Sequence, residues 1–191
     1  EGGECEPVIL ALGKLGGREP NYHSDLDIIF LYEADGNTEH QAGGRGKPTT
    51  NNAHFFGELG QRIMKVANHL GPFGRLYEVD PRLRPTGRSG VLAVPIDGLT
   101  RYFAEGRAQL WERQALCKAR AIVGSPVAAG YAMQAVNRAA FRPGWQPEMA
   151  REIREMRYRM QESATPLNLE RGRGGTDDIE FIVHLLRLRP G

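Results

Sequence analysis

Short apolar runs near the start of the chain are bounded by proline, glycine or acidic residues, and they predict strands. Residues 6–12 (EPVILAL) and 25–32 (DLDIIFLY) are such runs, rich in aliphatic or aromatic side chains. The segment between them, GKLGGREPNYHS, contains three glycines and one proline, so we expect a turn that includes a short helical segment. The chain therefore begins with two buried strands joined by a glycine-rich connection.

Further along the chain, apolar residues recur three and four positions apart, which predicts helices. The last of these helices begins with Thr176 or Asp177 near its N-cap. We assign the methionine-bearing face of the helix before it to a core rather than to a binding groove. The predicted helices cover residues 53–70, 99–120, 127–141, 148–162 and 176–189.

Two more strands are predicted in the middle of the chain. Residues 75–80 (RLYEVD) and 91–96 (VLAVPI) flank the turn-rich segment PRLRPTGRSG, so we expect them to pair through a hairpin connection. Residues 35–52 are polar and glycine-rich, which predicts a mobile surface loop. Residues 165–175 are predicted to form a loop or a short strand.

The order of elements is two strands, a helix, two strands and then helices, which indicates an α+β fold. We expect one domain over residues 1–141 and the beginning of a helical domain over residues 142–191. The chain does not begin with methionine and ends abruptly in LRLRPG, so we expect a fragment of a longer polypeptide.

Composition narrows the possible classes of protein. The net charge of +2 and the lack of an aromatic and basic stripe argue against a nucleic-acid partner. The two cysteines, Cys5 and Cys117, show no zinc-binding spacing and do not suggest a disulfide framework, so we expect a cytoplasmic protein. No apolar run reaches the length of a membrane span.

Two aspartates at the start of the second predicted strand carry the clearest chemistry. Asp25 and Asp27 are two positions apart, so on a strand their carboxylates lie on one face, while Leu26 and Ile28 point into a core. Neighbouring carboxylates repel each other, and a divalent cation between them relieves that repulsion. Mg²⁺ prefers oxygen ligands and often joins one or two carboxylates to substrate phosphates.

The residues around this pair extend the pattern to a phosphate site. Gly13, Gly16 and Gly17 allow backbone N–H groups to approach a phosphate, and Lys14 and Ser24 add contacts. Asp80 closes the strand RLYEVD and supplies a third carboxylate if that strand neighbours the others. Three such acids around one or two metal ions promote in-line nucleotidyl transfer. The alternative is a tight turn before an ordinary strand with a solvated polar edge.

The sequence motifs around these residues resemble those of known proteins. GKLGGRE followed by SDLDIIF is similar to the signature of the polymerase-β-type nucleotidyltransferase superfamily. YEVDPRLRPTGRSG, LWERQALCKARAIVGS and GGTDDIEFIVHLL resemble, in this order, the glutamine synthetase adenylyltransferase family of bacterial nitrogen control. The resemblance implies a polymerase-β-like core, a mixed sheet with flanking helices, followed by the start of an α-helical domain.

The resemblance also implies an activity. Members of this family carry two nucleotidyltransferase halves: the N-terminal half removes AMP by phosphorolysis, giving ADP, and the C-terminal half attaches AMP. YEVDPRLRP, and REIREMRYRM before GGTDDIEF, are more similar to the adenylylating half. We therefore expect Mg²⁺-dependent transfer of AMP from ATP to a tyrosine hydroxyl of glutamine synthetase in the bacterial cytoplasm. The PII signal protein is expected to act through regions outside this chain.

Two other functions stay open. One is the phosphorolytic removal of AMP, and the other is a catalytically inactive nucleotide-sensing or scaffold module. Under the resemblance, the catalytic residues and metal ligands are Asp25, Asp27 and Asp80. The nucleotide-binding residues are Gly13, Lys14, Gly16, Ser24, Arg82, Arg84, Lys118 and Arg120.

Several of these positions have simpler interpretations. Arg82 and Arg84 face the same side of an extended segment, where guanidinium groups suit phosphate, but a surface salt-bridge pair fits equally well. Lys118 and Arg120 end a predicted helix, where positive charge also complements the helix dipole.

Overall fold

The computed structural model describes residues 4–22, 24–38, 50–72, 74–75, 77–165 and 167–189. Within these ranges the chain forms an open mixed sheet with flanking helices, which confirms the predicted fold class. The strands are β1 (Pro7–Ala11), β2 (Leu26–Tyr32), β3 (Val79–Asp80), β4 (Ala93–Pro95) and β5 (Arg120–Val123). The helices are α1 (Gly13–Gly17), α2 (Asn52–Ala67), α3 (Ile96–Ala104), α4 (Leu110–Leu116), α5 (Pro126–Phe141), α6 (Pro147–Glu162) and α7 (Thr176–Leu188).

The sheet is built around β2. On one side β1 runs antiparallel to β2, and β5 runs antiparallel to β1. On the other side both β3 and β4 run parallel to β2, with β3 beside its first two residues and β4 beside its last three. The predicted β3–β4 hairpin is therefore wrong. The two short strands are successive pieces of one edge, and residues 81–92 loop out between them and resume the same direction.

Alternate residues of β2 serve two separate cores, as a two-sided sheet requires. Ile28 and Phe30 pack against Phe56 of α2 on one face. Ile29 and Leu31 pack into the larger core under α3 and α5 on the other face. By the same alternation, Asp27 lies on the face of Ile29 and Leu31. The buried residues that follow it in β2 hold this acidic end of the strand in place.

The predicted helix over residues 99–120 is split into α3 and α4 and is followed by strand β5. The chain turns at Gly106, whose φ is +70°, and restarts at a capping box formed by Gln109 and Glu112. As a result Lys118 lies in the turn after α4, and Arg120 begins β5 against β1. The prediction that these two residues end a helix is therefore wrong.

The C-terminal helices α6 and α7 pack against α4. Leu110, Ile153 and Leu188 form a small buried cluster between these helices, with Met149 at its edge. The guanidinium of Arg113, buried in α4, donates hydrogen bonds to the carbonyl oxygens of Ala140 and Gly144 at 3.0 Å each. These contacts join residues 142–191 to the sheet-bearing part of the chain.

The remaining predicted segments are the start of α7, residues 165–175 and the polar loop of residues 35–52. The N-cap of α7 is Gly175, so Thr176 and Asp177 are the first two residues of the helix and lie near its N-cap as predicted, although no side chain caps the helix. The described part of 165–175 forms turns, in agreement with the predicted loop. Residues 39–49 of the predicted mobile loop lie outside the described residues. Among the described helices, none has the length and apolarity needed to cross a membrane.

Candidate active site

Asp27 and Asp80 lie side by side on neighbouring parallel strands. The register of β2 and β3 pairs Asp27 directly with Asp80, so their side chains share one face of the sheet. Asp25 precedes β2 by one residue and is exposed to solvent. The predicted neighbourhood of β2 and β3 is thus present, although the predicted hairpin after β3 is not.

The proximity of these acids changes the protonation of Asp27. Burial, followed by the negative charges of Asp80 and Asp25, raises the pKa of Asp27 to about 6. Arg82 opposes this shift, while Glu180 of α7 adds to it. The site therefore concentrates negative charge that a bound cation would relieve. The described residues nevertheless contain no ready-formed group of three His, Cys, Asp or Glu side chains around one point.

Arg82 neutralises part of this charge. Its Nε donates to Oδ2 of Asp80 at 2.5 Å, and its backbone N–H donates to Oδ1 at 2.9 Å. Burial alone would raise the pKa of Asp80, but the hydrogen bonds from Arg82 outweigh burial and lower it. About half of the Arg82 side chain is exposed, so solvent reaches this ion pair, and the predicted contact of Arg82 with phosphate stays a prediction.

Arg84 points elsewhere than Arg82. It is buried inside the loop of residues 81–92, where Nη1 donates to the carbonyl of Pro81 at 2.7 Å and Nε donates to that of Val91 at 3.0 Å. The structure therefore does not place the two arginines on one side, and Arg84 makes no ion pair with any described residue. Its predicted contact with phosphate stays a prediction. Its observed contacts close the loop that separates β3 from β4.

Replacing Arg84 with lysine is expected to lower the free energy of unfolding by about 1–2 kcal/mol, because one ammonium cannot bond both ends of the loop. Urea unfolding monitored by circular dichroism measures this difference. Arg88→Lys in the same loop is the control, since Arg88 is exposed. Equal losses for the two variants would contradict the bracing role of Arg84.

The glycine-rich segment lies directly against the acids. Gly13 adopts φ +49°, and a Cβ on it would lie 2.5 Å from Oδ2 of Asp27. The backbone N–H of Leu12 donates to the carbonyl of Asp27 at 2.9 Å, which fixes the start of α1 on β2. Gly17 lies on the opposite end of this one-turn helix, where a Cβ would meet the Glu19 carboxylate. Gly13 therefore allows α1 to approach the acidic pair closely.

The two polar residues predicted beside the glycines have partners within the chain. The Lys14 ammonium forms an ion pair with Glu170 at 2.7 Å. The hydroxyl of Ser24, which is buried, donates to Oδ1 of Asn21 at 2.9 Å and shapes the loop before Asp25. The structure thus brings Gly13, but not the Lys14 charge, against the acids.

Lys118 and Arg120 connect α1 to the rest of the site. Lys118 forms ion pairs with Glu19 and with Glu180, the latter at 3.0 Å. Burial lowers the pKa of Lys118, but the two carboxylates outweigh burial and raise it, so the ammonium stays charged. Arg120 donates to the carbonyls of Leu15 and Gly16 at the end of α1. Lys118 thus pairs with Glu180, whose charge raises the pKa of Asp27, whereas Arg120 holds the end of α1 in place.

A mixed sheet with a glycine turn packed on paired strand carboxylates defines a nucleotidyltransferase-like core. The family model for glutamate-ammonia ligase adenylyltransferase matches residues 1–135, and the chain belongs to this family.

Relatives agree with this assignment. A protein of Thioalkalivibrio sulfidiphilus is 39% identical over 191 residues, which cover 96% of this chain and 19% of the relative. A protein of Bradyrhizobium sp. (strain BTAi1) is 35% identical over 186 residues, 96% of this chain and 18% of the relative. One of Nitrosomonas eutropha is 34% identical over 196 residues, 100% of this chain and 20% of the relative.

All three relatives are named bifunctional glutamine synthetase adenylyltransferase/adenylyl-removing enzyme. The chain spans about a fifth of the length of these relatives.

Proposed function

We propose that this chain transfers AMP from ATP to a tyrosine hydroxyl of glutamine synthetase and releases pyrophosphate. The observation that carries the proposal is the direct pairing of Asp27 with Asp80 beneath Gly13, in a chain of the adenylyltransferase family. The tyrosine oxygen forms a bond to the α-phosphorus, the bond from that phosphorus to the bridging oxygen breaks, and pyrophosphate leaves with both bond electrons.

The acids fit a divalent cation because their charges repel one another and raise the pKa of Asp27. In this proposal Asp25, Asp27 and Asp80 hold Mg²⁺, at one or two positions. The metal, when bound, neutralises charge on the phosphate oxygens and on the attacking and leaving oxygens. The proposed location is the bacterial cytoplasm, and PII is proposed to act through parts of the protein outside this chain.

The chain's own residues have distinct tasks in this proposal. Gly13 brings the backbone of α1 within reach of the triphosphate beside Asp27. Arg82 leaves Asp80 for a phosphate oxygen, because a guanidinium binds either group through the same two donors. Asp80 then faces the incoming tyrosine hydroxyl and takes its proton as the oxygen–phosphorus bond forms. Arg84 and Arg120 keep their loops in place.

The opposite direction is the second candidate: phosphate attacks adenylyl-tyrosine and ADP leaves. The relatives' name covers both reactions. The direction is therefore tested by introducing Asp80→Asn into the full-length protein and measuring which of the two reactions is lost. We expect this variant to lose transfer of label from α-³²P-ATP to glutamine synthetase while it still forms ADP from adenylylated glutamine synthetase and phosphate. The reverse pattern would assign removal of AMP to this chain. Loss of neither reaction would favour an inactive nucleotide-sensing module.

A further inference from the structure

A small cavity lies between α4 and α7, next to the acidic site but distinct from it. Its volume is about 190 Å³. Its walls are largely apolar and include the side chains of Trp111, Met156 and Phe181. Gly13, on which a Cβ would collide with the Asp27 carboxylate, is one of the residues that line it. A molecule bound at the acids could therefore extend into this cavity past Gly13.

Two polar side chains in the wall of this cavity have unused hydrogen-bonding groups. Gln114 is 4% exposed, and neither its amide nitrogen nor its amide oxygen has a hydrogen-bond partner among the described residues. His184 is 6% exposed, and neither ring nitrogen has a hydrogen bond within the same part of the chain. A buried polar group without a partner costs about 1–3 kcal/mol. Both residues line the same cavity, and the nearest carboxylate oxygen to His184, on Glu180, is 3.7 Å from Nε2. A ligand in the cavity that bonds both side chains would remove this cost.

The charges of the side chains around the cavity indicate which kind of ligand it suits. Burial lowers the pKa of His184, and the nearby positive charges of Lys118 and Arg187 lower it further, against the opposing effect of Glu180. The imidazole is therefore neutral and offers one donor and one acceptor. The Lys118 ammonium on the rim is already paired with Glu19 and with Glu180. The cavity thus suits an uncharged group and lacks the free positive charge that a phosphate needs.

Shape points to a flat heteroaromatic ring. Pockets that hold whole drug-sized ligands measure about 300–1,000 Å³, so this smaller cavity holds only part of such a ligand. Aromatic and thioether walls suit the faces of a ring, and the Gln114 amide can pair its donor and acceptor with adjacent groups on the ring edge. A glutamine amide pairs in this way with the 6-amino group and a neighbouring ring nitrogen of adenine.

We propose that this cavity holds the adenine ring of the nucleotide, with Gln114 bonded to the 6-amino edge and His184 to a second ring nitrogen. The inference rests on the proposed function, because it places the phosphates at Asp27 and Asp80. It holds for either direction of the reaction, since AMP is the group that moves in both. Gln114 is then a specificity-determining residue for adenine, and Trp111 and Phe181 pack on the ring.

The location is tested by photolabelling the protein as the cell makes it with 2-azido-ATP and mapping the labelled tryptic peptides. We expect label on peptides within residues 108–118 and 174–187, which contain Gln114 and His184. Unlabelled ATP should displace the label. Label confined to other peptides would overturn the inference.

The role of Gln114 is tested with Gln114→Leu, and Gln134→Leu on an exposed position of α5 serves as the matched control. Displacement of the label by ATP should need about 10- to 100-fold more ATP in Gln114→Leu. Displacement by purine riboside triphosphate, which lacks the 6-amino group, should change much less. The control variant should leave both unchanged.

Inorganic tripolyphosphate separates this inference from the proposed function. Its binding, measured by calorimetry with Mg²⁺, should be the same in Gln114→Leu and the unmodified protein, with an equal or higher Tm, because leucine removes an unpartnered amide. Unchanged displacement by ATP in the variant would overturn the adenine site and leave the phosphate site standing. A lower Tm together with lost tripolyphosphate binding would overturn it too, by showing that Gln114 only supports the fold. Failure of the protein to bind either ATP or tripolyphosphate would overturn both proposals.

Discussion

Asp27→Asn is expected to lower the rate of AMP transfer to glutamine synthetase by about a thousandfold, the scale of losing one electrostatic contact in a preorganised site. Asparagine keeps the size of the side chain but removes the charge that binds the metal and opposes the developing charge at phosphorus. Because Asp27 is paired with Asp80 in register, its replacement leaves only one carboxylate of this pair to hold a cation. The measurement is initial-rate incorporation of α-³²P-labelled AMP.

The fold of this variant should survive, which keeps the activity measurement interpretable. The pKa of Asp27 is raised from 3.8 to about 6, so the folded state favours the protonated carboxyl. That stabilisation is complete below pH 3.8 and is lost as the pH rises through 6. At pH 8 the ionised Asp27 therefore destabilises the metal-free fold, and a neutral asparagine does not. With a chelator present, we expect the Tm of Asp27→Asn at pH 8 to equal or exceed that of the unmodified protein.

The matched control is Asp35→Asn. Asp35 follows the other end of β2, is exposed, and accepts a hydrogen bond from the Tyr32 hydroxyl at 2.7 Å. This substitution should leave AMP transfer nearly unchanged. Transfer by Asp27→Asn within a few-fold of the unmodified protein, with the control also unaffected, would refute the assigned role of the acidic pair.

Periodicity predicted the elements whose apolar pattern is local. The strands β1 and β2 and the helices α2, α5 and α6 all lie close to their predicted bounds, because a short apolar run marks each strand and apolar residues three and four positions apart mark each helix. The pairing of β3 and β4 was not predictable in this way. A hairpin and an interrupted edge strand share the same strand–turn–strand pattern, and only the contact with β2 distinguishes them. Strand β5 was not predicted for a similar reason, because its partner β1 is distant in sequence.

The candidate site was also only partly predictable from the sequence. Asp25 and Asp27 are identified by their spacing, and Asp80 by its place at the end of a strand. The two predicted lysines could not be placed from sequence, because each forms ion pairs with distant residues: Lys14 with Glu170, and Lys118 with Glu19 and Glu180. The polar side chains of the cavity were missed for a physical reason as well. A glutamine or histidine in an amphipathic helix is usually solvated, and only the packing of α4 on α7 buries them.

Gly16→Ala is expected to lower the free energy of unfolding by about 3 kcal/mol, at the upper end of the cost of overpacking. A Cβ at Gly16 would collide with the carbonyl oxygen of Lys118 and lie 2.8 Å from that of Ala11. Both obstacles are backbone atoms of the sheet and its adjoining turn, so neither can move aside as a side chain could. The φ of Gly16 is not positive, so the cost is steric and does not come from backbone strain.

Gly57→Ala on α2 is the matched control, because both glycines are helical but a Cβ at Gly57 meets nothing within 4 Å. That variant should gain up to about 1 kcal/mol from the higher helix propensity of alanine. The two substitutions are therefore expected to differ by about 4 kcal/mol with opposite signs in urea unfolding. If both raised the stability, the close packing of α1 on the Lys118 turn would be wrong.

The same collision should also weaken nucleotide binding. Moving α1 outward separates Gly13 from Asp27 and breaks the hydrogen bonds that Arg120 donates to Leu15 and Gly16. We expect Gly16→Ala to bind tripolyphosphate more weakly than Gly57→Ala at a temperature where both variants are folded. Equal binding would mean that α1 contributes to stability but not to the phosphate site, and would remove the glycine-rich turn from the proposed mechanism.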